Sequence, residues 1–243
     1  MRCRHLVNGV LTAAVLAFGV GLSAPITVQG QDTAPQPRNA EEFDEMFREL
    51  SNWGRWGDDD QLGAANLITP EKRKEAVGLV REGITVSLAH NPVMEGAEDQ
   101  PEDAFEHEMS SSFRTDAYRF RYHGTLISHI DALCHYQYKD MMYNGVPTSA
   151  SSEDGCSKLG IENGKNGIIT RGVLIDLPRL KGVPYLEAGT PVYVEDIEAW
   201  EKIAGVRLGS GDAIFLHTGR WVLRAERGPW KAQGNRSGFH ASV

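Results

Sequence analysis

Two compact apolar segments with a helical pattern between them most constrain the fold of this chain of 243 residues. Gly172–Asp176 and Ala213–His217 each have the length and apolar composition of a compact strand. Between them, over residues 195–204, large apolar residues recur at the spacing of one helix face. Strands that alternate with helices indicate a layered α/β (α+β) architecture in which some strands pair in parallel.

Weaker patterns predict the remaining elements. Phe43, Met46, Phe47 and Leu50 follow the i, i+3, i+4, i+7 spacing of a helix that begins at Ala40. Thr69 and Pro70 predict a second helix, with Thr69 as its cap and Pro70 in its first turn, that ends near Gly83. A short strand is predicted over Ile84–Leu88 and another beginning at Tyr118. Between them, residues 91–112 are predicted to form an exposed excursion with solvated carboxylates.

The charge of the chain restricts its partners. With 25 Lys and Arg against 33 Asp and Glu, the formal net charge is −8. An acidic chain without a basic cluster lacks the electrostatic attraction that nucleic acids and anionic membranes require. There is also no Gly-rich phosphate loop. We therefore expect a small-molecule substrate and no nucleic-acid partner.

The N-terminus has the layout of a secretory signal peptide. Arg2 and Arg4 precede an apolar run over Val10–Leu22, and small and polar residues follow. This predicts a signal peptide over 1–30, a disordered leader over 31–39, one domain over 40–243, a secreted or periplasmic location, and no membrane contact after cleavage. In that oxidising compartment Cys134 and Cys156 either pair, or Cys134 stays buried and reduced.

Potential chemistry is concentrated in the stretch HGTLISHIDALCH, residues 123–135. If the stretch is extended, side chains two apart share a face, so His123, His129 and Asp131 point the same way and His135 follows near a turn. Imidazole and carboxylate together suit a borderline divalent ion, which can activate water as a nucleophile. The alternative is an ordinary hydrogen-bonded His and Asp pair.

This stretch resembles the core motif of the cyclase family, which includes bacterial kynurenine formamidase and isatin hydrolase. The segments WGDDDQLGAANLITPEK, MYNG, RGVLIDLPRL and GDAIFLHTGRW also resemble family segments, so the similarity covers most of the mature chain. The resemblance implies a swivelling β/α/β fold, a homo-oligomer, a site with one or two divalent metal ions, Zn or Mn, and hydrolysis of an amide C–N bond.

Carried over by position, the resemblance implies that His129 and Asp131 are metal ligands and that His135 is the catalytic general acid or base. His123 is a further candidate ligand, because the first histidine of the family motif falls at a threonine here. Leu133 stands in place of the motif proline. The resemblance also implies that further His and Glu ligands lie beyond Val243, in a missing C-terminal part of the domain.

The leading hypothesis is therefore a metal-dependent hydrolase of a small formamide or cyclic amide. Two alternatives stay open: a lactone or ester hydrolase using the same site, and a non-catalytic protein that binds metal or ligand. Weaker candidates for the site are His90 and His217, the aromatic residues Trp53, Trp56 and Tyr143 as cover for a planar substrate, and Arg171 and Arg220 as partners of a substrate carboxylate. The acidic run Asp58, Asp59 and Asp60 is predicted to be a solvated loop.

Overall fold

The computed structural model describes residues 37–100, 104–112, 114–124 and 126–243. The predicted signal peptide and residues 31–36 of the predicted leader lie outside these ranges. All of the described residues belong to one compact unit. None of the helices in the described ranges has the length and apolar character needed to cross a bilayer.

A parallel pair of strands forms the centre of the C-terminal half. Strand β5 (Gly172–Asp176) pairs in parallel with β7 (Ala213–His217), and the connection between them contains α3 (Leu177–Lys181), β6 (Pro191–Val192) and α4 (Val194–Ala204). Both strands have the predicted bounds, and the parallel pairing of strands separated by helices confirms the α/β class.

The larger hydrophobic core lies between this pair and the helices of the connection. It consists of Ile175, Leu177, Leu186, Val192, Ile197 and Trp200. The Trp200 indole also donates a hydrogen bond to the Leu174 carbonyl at 2.8 Å, which joins α4 to β5. Asp176 ends β5 and caps α3 by accepting from the Arg179 backbone N–H at 3.1 Å. The strand-to-helix turn is therefore encoded by one residue.

The N-terminal helices confirm two predictions, and the second helix is shorter than predicted. Helix α1 (Ala40–Leu50) has the predicted bounds and is capped by Asn39, whose side chain accepts from the Glu42 N–H. Helix α2 (Pro70–Gly78) begins with the predicted Thr69 cap but ends before the predicted stop at Gly83. No side chain of α2 is buried, so tertiary packing does not extend the helix beyond what its own sequence supports.

The strand predicted over Ile84–Leu88 is wrong, because this segment has no regular secondary structure. Ile84 and Val86 are 73% and 76% exposed. Apolar residues that alternate with polar ones suit a sheet, but a strand forms only beside a neighbouring strand. This segment pairs with none of the described residues.

The prediction of an exposed excursion over 91–112 is also wrong in part. Strand β1 (Phe105–Met109) pairs antiparallel with β2 (Asp116–Phe120), which confirms the strand expected near Tyr118. The Asp99 carboxylate is fully buried and forms ion pairs of 2.9 Å with both Arg220 and Arg224 on α5 (Arg220–Arg227). The Asp99 side chain therefore joins its loop to α5 and is not solvated.

A second, smaller core supports the segment of interest. It consists of Ala132, Cys134, Met142, Val146 and Leu159. The elements around it are β3 (Ser151–Ser152), antiparallel to β4 (Gly155–Cys156), and 3-10 turns at Gly63–Leu67, Leu133–His135, Tyr143–Gly145, Thr148–Ala150 and Ile161–Gly164. Strand β8 (Gly238–Phe239) pairs in parallel with β6 near the end of the chain.

Candidate functional site

The described residues of the histidine-rich stretch lie between β2 and the end of the 3-10 turn Leu133–His135, and before that turn they have no regular secondary structure. They form no strand ladder, so the convergence of their side chains does not come from strand geometry. One local contact shapes the backbone here: the His129 ring bonds to the Ile127 carbonyl with Nδ1 at 2.9 Å from the oxygen. The carbonyl accepts, so Nδ1 is the donor.

Three of the predicted ligands lie together. One ligand atom from each of His123, His129 and Asp131 lies within 4.8 Å of the other two. The His123 Nδ1 lies 3.4 Å from the Asp131 Oδ1. Since His129 uses Nδ1 to donate to a carbonyl, its Nε2 carries the free lone pair, the arrangement usual for a metal-bound histidine. Two imidazoles and one carboxylate at these separations fit a divalent ion of the Zn or Mn type.

Asp131 also binds the fourth predicted residue. The His135 Nδ1 lies 2.5 Å from the Asp131 Oδ1, and the Ala132 N–H donates to the same oxygen at 3.2 Å. Burial raises the pKa of Asp131, whereas the hydrogen bond from His135 and the charges of His123 and His135 lower it. The lowering effects together exceed the effect of burial, so the net shift of the pKa is downward. Asp131 is therefore a carboxylate at neutral pH, and His135 donates to it through Nδ1.

Tyr136 completes the surroundings of this carboxylate. Burial raises the pKa of the Tyr136 hydroxyl, and so do the charge of Asp131 and the hydrogen bond between the two groups. The hydroxyl consequently stays protonated and remains a donor. The sequence analysis did not select Tyr136, and a phenol directly after His135 carries no signal of its own.

A cavity of about 360 Å³ lies beside these residues. His123 and His135 line one side, and Gln137, Met142, Thr148 and Ser151 contribute to the rest. The side chains of His123 and His135 are 49% and 39% exposed. Two of the four predicted site residues are thus accessible to a small molecule from one cavity.

A disulfide holds the turn that carries His135. Cys134 is bonded to Cys156 on β4, which decides between the two states left open above. The Cys134 N–H also donates to the Leu159 carbonyl at 3.2 Å. His135 lies close enough to both sulfurs for a three-residue metal group, but the sulfurs are bonded to each other and are not thiolate ligands.

Comparison with known families and structures places the chain. The family model described as "Putative cyclase" matches residues 22–242. The chain belongs to the cyclase family. A crystal structure described as a novel cyclase superposes with a TM-score of 0.67 at 32% identity, over 80% of this chain and 71% of that one. No curated protein matches the chain significantly.

Membership of the cyclase family indicates an enzyme, and the His123, His129 and Asp131 group is the candidate metal centre of this cyclase. The other histidines considered from sequence lie in different contacts. The His217 Nδ1 lies 3.0 Å from Asp176 at the ends of the paired strands β7 and β5. The His90 ring stacks on Trp221 with centroids 3.9 Å apart.

The aromatic candidates pack against protein. Trp53 meets the Phe47 ring edge-on with centroids 5.6 Å apart, and Arg55 lies over Trp56. Tyr143 donates to Asp60 at 2.8 Å, and burial and this bond raise the pKa of Tyr143 to about 12. None of these contacts is with the candidate metal centre of the cyclase.

The acidic run is also more structured than predicted. Asp60 accepts from the Gly63 N–H at 2.9 Å, from the Asn66 side chain at 2.7 Å and from Tyr143. The prediction of a solvated loop is therefore wrong for Asp60. The signal that sequence reasoning missed is local: Asp three residues before Gly63 is placed to cap the turn that follows.

Proposed function

We propose that this cyclase is a metal-dependent hydrolase that cleaves the amide C–N bond of a small formamide or cyclic amide. The observation that carries the proposal is the group of His123, His129 and Asp131, with ligand atoms within 4.8 Å of one another and His135 bonded to the same carboxylate. Donors of this type suit a catalytic divalent ion, and the adjoining cavity has room for a small substrate.

His129, Asp131 and His123 would hold the ion, Zn or Mn. When bound, it supplies a Lewis acid for the substrate carbonyl and a nucleophile from water. The chain prepares its ligands for this role: the Ile127 carbonyl orients His129, and the hydrogen bonds to Asp131 keep that group ionised.

His135 is suited to move a proton. Its Nδ1 donates to Asp131, which leaves the Nε2 lone pair available to accept a proton. The carboxylate then stabilises the imidazolium that forms. Because His135 lines the cavity, the protonated ring can donate to the departing nitrogen of an amide, which is the role of a general acid.

The substitution His129→Ala tests the proposal. Removing one of three ligands should abolish stoichiometric Zn or Mn, measured by elemental analysis, together with hydrolysis of formamides and cyclic amides. The matched control is His107→Ala, because His107 bonds to Asp116 at 2.7 Å in the β1–β2 hairpin and takes no part in the group. Full turnover by metal-free protein would contradict the proposal.

The same assays separate the alternatives. Faster hydrolysis of lactones or esters than of amides would indicate an ester hydrolase at the same site. A bound ion without turnover of formamides, isatins or lactones would indicate a binding protein.

We also propose that the chain is exported, to the periplasm or out of the cell, and that it forms a homo-oligomer. The signal-like N-terminus supports export. The Cys134–Cys156 disulfide supports it independently, because such bonds persist in oxidising compartments.

A further inference from the structure

The two arginines considered from sequence as partners of a substrate carboxylate are both engaged by carboxylates of the chain. Arg171 bonds to Asp212, which is buried before β7. Arg220 forms its ion pair with Asp99 at 2.9 Å. Arg236, in the loop after α5, differs from both: its guanidinium has no hydrogen-bond or ion-pair partner among the residues that the structure describes, and the residue is exposed.

Arg236 lines two cavities that share one wall. The first, of about 220 Å³, has apolar sides formed by Leu186, Leu223 and Trp230. The second, of about 360 Å³, has His123 of the candidate metal centre in its wall. Gly124, the neighbour of His123, lines both. Arg236 therefore faces the same space as one member of the candidate metal centre.

The charges around the first cavity leave Arg236 uncompensated. Its only charged lining groups among the described residues are Arg220 and Arg236, and Asp99 neutralises Arg220. The second cavity adds Lys231, Glu98 and the engaged Asp99. The acidic and basic side chains of the second cavity balance, so the first cavity is the cationic one, and in a chain of net charge −8 such a cavity is suited to an anionic ligand.

We propose that the substrate is a small aromatic or apolar amide that carries a carboxylate, and that Arg236 binds this carboxylate. The apolar part lies against Leu186, Leu223 and Trp230, and the scissile carbonyl lies on the His123 side of Gly124. A guanidinium binds a carboxylate through two parallel hydrogen bonds, which orients as well as attracts it. The position of the carbonyl rests on the proposed hydrolase function, whereas the anion site does not.

The test compares ligands that differ only in charge. Binding of benzoate and of benzamide to the full chain is measured by titration calorimetry, and hydrolysis is measured with 3-formamidobenzoate and 3-formamidobenzamide. In Arg236→Gln, benzoate affinity and kcat/KM for the anionic amide should fall about tenfold or more, while the values for the neutral partners stay unchanged. Arg236→Lys should restore part of the loss, because it keeps the charge but not the paired geometry.

Arg207→Gln is the matched control, since Arg207 is an exposed arginine whose guanidinium pairs only with Glu201 among the described residues. Its backbone carbonyl accepts from the Arg171 side chain, and the substitution leaves that carbonyl in place. Unchanged benzoate affinity in Arg236→Gln, or no benzoate binding by the wild type, would overturn the inference. Benzoate binding that depends on Arg236 without hydrolysis of any amide would leave the anion site intact and refute the hydrolase. Hydrolysis of both amides, unaffected by Arg236→Gln, would do the reverse.

Discussion

Single aspartates join distant parts of this chain. Asp60 binds Tyr143, 83 positions away, and Asp99 binds Arg220, 121 positions away. Asp212 accepts from Lys72 of α2 and from Arg171, the residue before β5, and Asp131 accepts from His135. In each case several donors surround one carboxylate, which stabilises its charged form. Asp131 differs because it also lies beside a cavity, and this accessibility makes it a candidate site residue.

Asp212 gives a prediction for acid stability. The hydrogen bond from Arg171 lowers the pKa of Asp212 far below its ordinary value of 3.8, and the hydrogen bonds from Lys72 and the Gly209 N–H lower it further, whereas burial raises it. The unfolded chain therefore binds this proton more readily than the folded one. The stability that the group contributes is complete above about pH 3.8 and is lost as the pH falls toward the folded pKa.

We expect Asp212→Asn to lower the free energy of unfolding by about 3 kcal/mol at pH 7, because it leaves Arg171 and Lys72 without their charge partner. The loss relative to wild type should shrink at pH 3, and urea denaturation at both pH values measures it. The exposed Asp58→Asn serves as control. Equal stability of Asp212→Asn and wild type at pH 7 would contradict the prediction.

At the scale of elements, the candidate site is built on short and irregular segments. His123 follows β2, His129 and Asp131 lie in a stretch without regular structure, and His135 ends a 3-10 turn of three residues. Such segments are held by specific contacts and not by a hydrogen-bonded ladder. The Cys134–Cys156 disulfide is the covalent contact, and it joins the turn to β4. The position of His135 should therefore depend on it.

Reduction of this disulfide should destabilise the protein and weaken its activity. The disulfide joins residues 22 positions apart, and opening it returns conformational freedom to the unfolded chain, which stabilises the unfolded state by about 3 kcal/mol. Urea denaturation and hydrolysis assays with and without dithiothreitol measure both effects. The double variant Cys134→Ala, Cys156→Ala is the control and should not respond to the reductant. An oxidised wild type with the same stability as its reduced form would refute the prediction.

At the scale of the whole molecule, the outer face of the parallel pair is apolar and uncovered. Leu174 of β5 lies opposite Phe215 of β7, and these side chains are 56% and 43% exposed. Their neighbour Ile175 is buried in the core on the other face. Exposed apolar patches of this kind are typical of association surfaces.

The homo-oligomer predicted from the family resemblance should use this face. We expect wild type to elute as an oligomer in size-exclusion chromatography with light scattering, and Phe215→Glu to shift the mass toward the monomer. Ile203→Glu on α4 is the matched control, since Ile203 is 62% exposed but lies on another element. A monomeric wild type at micromolar concentration would show that the expectation is wrong.

The features that neighbouring residues encode were predictable. Helix α1 and strands β5 and β7 have the predicted bounds, and Thr69 caps α2 as expected, because periodicity and capping depend on residues a few positions apart. The same holds for the candidate site: its four predicted residues lie within thirteen positions, so the chain connectivity itself keeps them close.

Contacts between distant residues were not predictable, because nothing local distinguishes the carboxylate that will be buried from the one that stays in water. Asp99 reads as part of an acidic loop until α5 supplies Arg220 and Arg224. Ile84 and Val86 read as a strand, yet no described strand pairs with them. Arg236 becomes a candidate for ligand binding only because the fold places it in the same cavity wall as Gly124, more than a hundred residues earlier. Packing selects these pairs, since burial and loop closure depend on the whole fold.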